Sequence, residues 1–593
     1  LLQFDAKISD GYQPTRNKDK VSVNPLPNLH AELVLNAIRS AQQAGDLPEF
    51  DTPTIVISRP RLAEQGDYAS AIAMSLTKTV GRKPLEIAEI IAKHLPETDF
   101  IASVEVVPPG FINFRLSETW LRAQVDRIIE LGDQFGKVDF GKGLKAQVEF
   151  LSANPTGPLT IGRTRGAILG EGISRVLEAA GYEVTREYYF NNAGAQMRRL
   201  GESLQIRYLE ALGEPVEMPD KDDENFYQGA YLIEFAQRLI AEVGDAWKGY
   251  EWQPFKEYAE KQIFGWIRQT LDRVKINHDV FFNENSLYES GAVEDTLNRL
   301  KEKGYIYEAS VREQATDEER EAGKTLAPAV WFRSTALGDT EDRVVVKSNG
   351  EPTYTLPDIA YHINKIERGF DLLVNVLGSD HKKEAEVVRL GLQALGYPTD
   401  HLNVVFMQMV HLRRQGEEIK MSTRKANYIT LDQMIDETSA DAIQYFMAHR
   451  SADAQFVFDI DLAVKQSNEN PVYYIQYAYV RCAGIFREAE ARGVTDEGAD
   501  LSLLNDEALN FIRKCLELPE IVEFSASNLS PHNIAHFAVD VANNFHPMYD
   551  KVRVFGEGIS PEQSKANLRF YRVAQITLAN LLTLMGMSIP ERM

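Results

Sequence analysis

Only two cysteines occur in 593 residues, Cys482 and Cys515, and their spacing is not that of a metal site. Disulfide scaffolds and Cys-ligated zinc modules are thereby excluded, and a reducing, cytoplasmic setting is expected. No apolar run is long enough to span a membrane and the first residues lack the pattern of a secretory signal, so no membrane partner is expected. Internal repeats and low-complexity tracts are also missing. Positive charge is scarce: 64 Lys and Arg stand against 87 Asp and Glu, a net charge of −23. Taken alone, that balance speaks against nucleic acid. Binding depends on local potential, however, so such a partner would need a basic stripe, and the place for one is residues 413–425. The chain does not begin with Met, which suggests a trimmed or edited start.

The chain is too long for one core and predicts three or four domains. Its organising stretch runs from Val148 to Gly181. A short apolar strand enters a loop carrying Asn154, Pro155, Gly157, Pro158 and Gly162, then a helix with Ile168, Leu169, Ile173, Val176 and Leu177 on one face. Gly181 stands where a C-cap glycine is expected, and a second strand follows over Tyr182–Phe190. Strand, crossover helix and parallel strand make the first unit of a doubly wound sheet. Ligands bind beyond the carboxyl ends of such strands, and a helix N-terminus there attracts phosphate. Gly162 would admit a flat base close to the backbone. The same turn is also compatible with a tight connection and no ligand. A second stretch, Glu417–Asn427, packs Lys420, Arg424 and Lys425 around Met421, Ser422 and Thr423. It suits the charge that develops when a triphosphate is displaced at its α-phosphorus.

Together these stretches resemble the two signature motifs of class I aminoacyl-tRNA synthetases, His-Ile-Gly-His and Lys-Met-Ser-Lys-Ser. SANPTGPL followed by GYEVTREYYFNNAG is more closely similar to the arginyl-tRNA synthetase family, as are GDYAS, PPGFINF, LYESG, LPDIAYH, KMSTRKAN, NENPVYYIQYA and the terminal PERM, over about Leu29 to Met593. The resemblance implies a multidomain α/β protein. A flexible lead-in at 1–28 precedes a small α/β tRNA-contacting domain at 29–120. A Rossmann-type doubly wound parallel sheet at 121–465 follows, with a helical insertion at about 200–340 and the cationic loop at 417–427. An all-α anticodon-binding domain at 466–593 ends the chain. The implied activity is arginine–tRNA ligation: L-arginine is activated with ATP and Mg2+, then transferred to tRNA(Arg), by a monomer.

A guanidinium presents five donors in one plane and is best met by carboxylates. On the resemblance, arginine is held by Glu149, Asn154, Tyr354, Asp358 and Asp380, and ATP by Pro158, Gly162, Gly378, His381 and Met421. The displacement is assisted by Thr160, Arg163, Lys420, Ser422, Arg424 and Lys425, and tRNA is touched by Tyr68, Asn113, Asn468 and Tyr477. No resident metal is implied. Read from the residues alone, Glu149 also fits an edge-strand charge, and Asp358 a helix N-terminal charge after Pro357. Asp380 and His381 fit a cap and a structural histidine. Tyr473, Tyr474, Tyr477 and Tyr479 fit a helix core as well as an RNA-stacking surface. Some positions depart from the family: Thr160 and Arg163 replace two histidines, Thr423 a lysine, Ala426 a glycine and Lys382 a histidine. Losing a phosphate donor of this kind costs about 10²–10³ in rate, and Arg165, one helical step on, is a candidate to compensate. A relative that binds tRNA without charging it is the competing expectation. A ligase that delivers arginine to a non-RNA acceptor is a third.

Overall fold

The computed structural model describes residues 23–216, 218–219, 226–316, 318–319, 326–419 and 429–593, with the backbone of Phe4–Asp5. Lys420, Met421, Ser422, Thr423, Arg424, Lys425 and Ala426 lie outside the described residues, as does most of the 1–28 lead-in. The chain divides into two compact units, one of Leu1–Lys142, Ala179–Gly181 and Gln466–Met593, the other of Gly143–Glu178 and Tyr182–Lys465.

The first unit opens with an antiparallel sheet of β1 (Phe4–Asp5), β2 (Val56–Ser58), β3 (Tyr68–Ser70), β4 (Ile101–Val107) and β5 (Phe111–Leu116), in the order β1-β2-β3-β5-β4. The lead-in therefore contributes a strand, paired with Val56 and Ile57. Helices α1 (Leu26–Gln43), α2 (Ile72–Val80) and α3 (Pro84–Lys93) pack on this sheet, driven by buried stripes such as Val34, Ile38 and Ala41. Helix α4 (Glu118–Leu131), whose N-cap Ser117 accepts from Trp120 N–H, packs on the C-terminal helices of the same unit.

The second unit holds β6 (Lys145–Glu149), α5 (Ile161–Ala179), β7 (Glu183–Phe190), α6 (Gly194–Ala211), α7 (Tyr231–Val243), α8 (Trp252–Arg273), β8 (Val280–Asn283), α9 (Asn285–Glu289) and α10 (Ala292–Glu302). It continues through β9 (Ile306–Ala309), β10 (Ala329–Phe332), β11 (Arg343–Val346), α12 (Thr355–Glu367), β12 (Leu372–Gly378), α13 (Lys382–Leu395) and β13 (Leu402–Met407). It ends with β14 (Val410–Arg414), β15 (Glu417–Ile419), α14 (Leu431–Glu437), α15 (Ala440–Ala448), β16 (Phe456–Asp459) and α16 (Ile460–Ala463). Strands β13-β12-β6-β7-β8, in that order, form one parallel sheet. The winding reverses between β6 and β12, and in sheets of this kind ligands bind beyond the strand ends at that switch point. The crossover helix α5 lies so close to the sheet that a Cβ at Gly170 would meet Phe150 at 2.2 Å. Gly181, at φ +90°, reverses the chain into β7.

The insertion expected at 200–340 is not helical throughout. It contributes β8 to the main sheet, and β9, β10 and β11 form a separate antiparallel sheet. A four-residue run is too short for its period to tell strand from helix, and pairing with β7 makes Val280–Asn283 a strand. The chain then returns to the first unit with α17 (Pro471–Ala491), α18 (Asp506–Cys515), α19 (Leu518–Ser527), α20 (His532–Lys551) and α21 (Pro561–Leu584), the helical domain the sequence predicts.

Candidate active site

Strand β6 ends on Glu149, and the backbone then turns through Leu151 and Ser152 at φ 72° and 37°, a conformation that L-residues adopt only when the surroundings hold it. Ser152 Oγ is part of that hold, donating to Glu149 Oε1 at 2.8 Å and accepting from Tyr189 N–H at 3.2 Å. Helix α12 lays Asp358, Tyr361, His362 and Lys365 along one face against the sheet. Two ion pairs fasten it. Arg368, just past the helix, donates to both oxygens of the buried Glu187 at 2.7 and 2.8 Å, and Tyr361 Oη adds 2.6 Å. Lys365, fully buried, donates to Glu149 Oε2 at 2.6 Å and to Asn375 Oδ1 at 2.8 Å. Glu149 therefore does not wait unpaired for a substrate: a buried carboxylate needs a counter-charge, and Lys365 is already there.

The acceptors left over are Asp358 and Glu284. Glu284, at the end of β8, is oriented by Tyr189 Oη and Asn191 Nδ2, each at 2.8 Å, and has no cationic partner among the described residues. Burial pushes its carboxyl up. Asp358 has no donor to its carboxylate among the described residues, and burial followed by the charges of Glu149 and Glu284, with Lys365 opposing, pushes it up to about 8. Tyr354, 77% exposed, caps α12 beside them, and Tyr288 is pushed up to about 12 by burial and by Glu284, Asp358 and Tyr354. Among the described residues neither carboxylate has an ion-pair partner, and each raises the cost of ionising the other or is itself raised by burial. Glu284 carried no signal in the sequence, because NENSLY sits inside the segment read as insertion. Asn154 is engaged elsewhere: its Oδ1 accepts from Asn191 N–H at 2.9 Å and its Nδ2 donates to Gln196 Oε1 at 3.0 Å, locking the first loop to the start of α6. Asp380 is not brought into the cluster. Its side chain is 83% exposed at the end of β12, 3.7 Å from His381 Nε2.

The first turn of α5 follows the loop that leaves β6. Ile161 N–H donates to Ile429 C=O at 3.1 Å, Leu431 N–H to Leu159 C=O at 2.8 Å, and Thr160 bridges Thr430. Ile429, Thr430 and Leu431 are thus tied to the start of α5, and the capping box of Thr430 and Gln433 starts α14 there. Gly162 faces open space and Arg163 is exposed beside it, both available to a nucleotide. Pro158 is partly exposed on the same loop, and Gly378 precedes a turn so tight that a Cβ would meet Asp380 Oδ1 at 2.4 Å. Arg165 does not join them. Its buried guanidinium donates to the carbonyls of Gln408 and Ala454 at 2.9 Å and of Ser451 at 2.8 Å. Nor do Arg413 and Arg414 supply an unpaired basic stripe, since they face Asp459 and Glu437.

A family model described as tRNA synthetases class I (R), catalytic domain, matches residues 124–461. This chain belongs to the arginyl-tRNA synthetase family. Models of the arginyl tRNA synthetase N terminal domain and of the DALR anticodon binding domain match residues 29–116 and 475–593. The arginine–tRNA ligase of Desulfotalea psychrophila is 42% identical over 568 residues, covering 95% of this chain and 99% of that one. That of Bacillus licheniformis is 40% identical over 561 residues, covering 93% and 97%. Among solved structures, Thermus thermophilus arginyl-tRNA synthetase superposes with a TM-score of 0.70 at 20% identity, covering 96% of this chain and 100% of that one. The Plasmodium falciparum arginyl-tRNA synthetase gives 0.67 at 17%, covering 97% and 100%. Both share the fold.

Two synthetase residues expected to touch tRNA are buried instead. Tyr68, 1% exposed, packs its ring 4.5 Å from that of His30 and hydrogen-bonds Glu520 and Arg59. Asn113, 5% exposed, lies within β5 between its two neighbouring strands. Tyr68 thereby joins the small sheet to α19 within the first unit, while Asn113 stays inside the sheet. Asn468 is exposed ahead of α17. Tyr477 is half-buried, its ring 5.7 Å from Tyr473 and 5.8 Å from His546, with the Arg481 guanidinium 4.8 Å over it.

Proposed function

We propose that this synthetase activates L-arginine in the cleft between β6 and β12 and transfers it to tRNA(Arg). The observation that carries the reading is the pair Asp358 and Glu284, electrostatically coupled carboxylates with no ion pair of their own among the described residues. A guanidinium can donate to both at once from its planar set of N–H groups and fill their open acceptor sites, which a lysine ammonium does less well. With its side chain anchored there, the arginine carboxylate attacks the α-phosphorus of ATP, and pyrophosphate leaves. The 2′- or 3′-hydroxyl of the terminal tRNA adenosine then takes the arginyl group, releasing AMP. Catalysis is positioning and charge stabilisation. Thr160 and Arg163 at the α5 N-terminus, with Lys420, Ser422, Arg424 and Lys425 of the cationic segment, meet the developing charge, while Pro158, Gly162, Gly378, His381 and Met421 hold the nucleotide. Among the described residues no cluster of His, Cys, Asp or Glu is placed to hold a metal. Mg2+ enters as the ion of MgATP, held by substrate phosphates. Asn468, exposed, and Tyr477, half-buried, contact tRNA. A cytoplasmic monomer completes the proposal; no helix of the described residues is long and apolar enough to cross a membrane. Nothing observed favours a relative that only binds tRNA.

Calorimetric titration with arginine and with citrulline, its neutral urea isostere, tests the pocket. Arginine should bind at least about 100-fold tighter, because citrulline leaves both carboxylates uncompensated. Equal affinities would refute the assignment.

A further inference from the structure

The mechanism leaves one buried charge unused. Lys365 lies on α12, seven residues beyond Asp358 and three beyond His362, so all three share a helical face. Its Nζ donates to Glu149 Oε2 at 2.6 Å and Asn375 Oδ1 at 2.8 Å, and sits 4.4 Å from the Tyr361 ring centroid. Because Asn375 Oδ1 is taken, its Nδ2 is presented to His362 Nε2, 2.6 Å away. His362 Nε2 must then accept, which places the ring proton on Nδ1, and Nδ1 donates to Asp358 C=O at 2.7 Å. One ammonium thus orients an amide, the amide selects a tautomer, and the tautomer holds the first turn of α12.

We infer that Lys365 is a positioning residue for arginine recognition: through Glu149, Asn375 and His362 it fixes the turn that bears Asp358, and it supplies the counter-charge that occupies Glu149 and leaves Asp358 open to a guanidinium. The inference rests on the arginine reading of the pocket. It explains why a lysine is buried beneath a site for a cation: without it, three carboxylates would crowd one cleft. The groups facing Asp358 are Glu149 on β6, Tyr189 on β7, Glu284 after β8, Tyr288 on α9, Lys365 on its own helix and Glu384 on α13. Lys365 is the one cation that acts on Asp358 among those groups.

The test is arginine-dependent pyrophosphate exchange with tRNA(Arg) present, measured against pH, for the parent, Lys365→Met, Glu149→Gln and the double variant. Lys365→Met should raise KM for arginine about tenfold or more while KM for ATP stays within about twofold, and should move the acid limb of kcat/KM for arginine up by about one pH unit. Glu149→Gln, which leaves the ammonium facing Asp358, should move that limb down. The double variant should bring it back toward the parent position, an outcome that a purely structural role for Lys365 does not give. If Lys365→Met does not fold, Glu149→Gln and the double variant still decide. An acid limb that stays in place in every folded variant, or equal losses for arginine and ATP, would overturn the inference. Absence of exchange in the parent chain would instead overturn the arginine reading, and this inference with it.

Discussion

Asp358 reaches the folded state with a carboxyl pushed up to about 8, against an ordinary value near 3.8. A carboxyl raised on folding contributes stability that is full below its unfolded pKa and is lost as pH rises through the folded one. Asp358→Asn should therefore stabilise the ligand-free chain, by about 1–2 kcal/mol at pH 8–9, with little gain at pH 4. The same change should weaken arginine by at least about tenfold and leave ATP unchanged, since a charge opposite the guanidinium is gone. Thermal unfolding across pH and calorimetry with each ligand check both halves; equal losses for arginine and ATP would contradict the role. Arg163 is the exposed cation at the α5 N-terminus, and Arg163→Ala should slow adenylate formation about 10- to 100-fold with arginine affinity unchanged. An unchanged rate would mean the charge comes from elsewhere. Residue types and motif order pointed to Asp358 and Tyr354, and the structure puts both at the start of α12. They could not show that Glu149 is occupied by Lys365, that Arg165 turns inward to three carbonyls, or that Glu284 stands across the cleft. Each depends on which face of an element is covered, and tertiary packing decides that.

Helix α12 shows how an element carries a site. Its stripe of Leu356, Ile359, Ala360 and Ile363 buries one side, while Lys365 and the adjoining Arg368 pin it to Glu149 and Glu187 on neighbouring strands. Arg368→Met would leave Glu187 buried with only the Tyr361 hydroxyl, a loss of about 2–4 kcal/mol, and Glu187→Gln in the same chain should recover a good part. Denaturant unfolding of both variants measures this; additive losses would deny the coupling. At this scale the strands and helices of the crossover units were legible from periodicity. The strands β8 to β11 were not, since four-residue apolar runs amid helices give no period long enough to read.

Across the whole molecule, the first unit joins its small sheet to the C-terminal helices through a buried polar knot. Glu520 takes hydrogen bonds from Tyr68 and Arg59, Asp67 pairs with Arg513 at 3.2 Å, and Asn28 donates to Glu523 at 3.1 Å. Burial, opposed by Arg59, pushes Glu520 up to about 7. That contribution to stability is full below pH 4.5 and falls as pH rises through about 7. Glu520→Gln should accordingly flatten the fall in unfolding midpoint between pH 5 and 8, and an identical slope in parent and variant would contradict it. Domain order was legible from the motifs, but the interface role of Tyr68 and the burial of Asn113 within its sheet were not, because exposure is a property of the assembled unit. The most direct test of the whole account is charging of tRNA(Arg), dependent on arginine and ATP, run beside pyrophosphate exchange with and without that tRNA. The account predicts robust charging despite Thr160 and Arg163. Tight tRNA binding with neither exchange nor charging would contradict it.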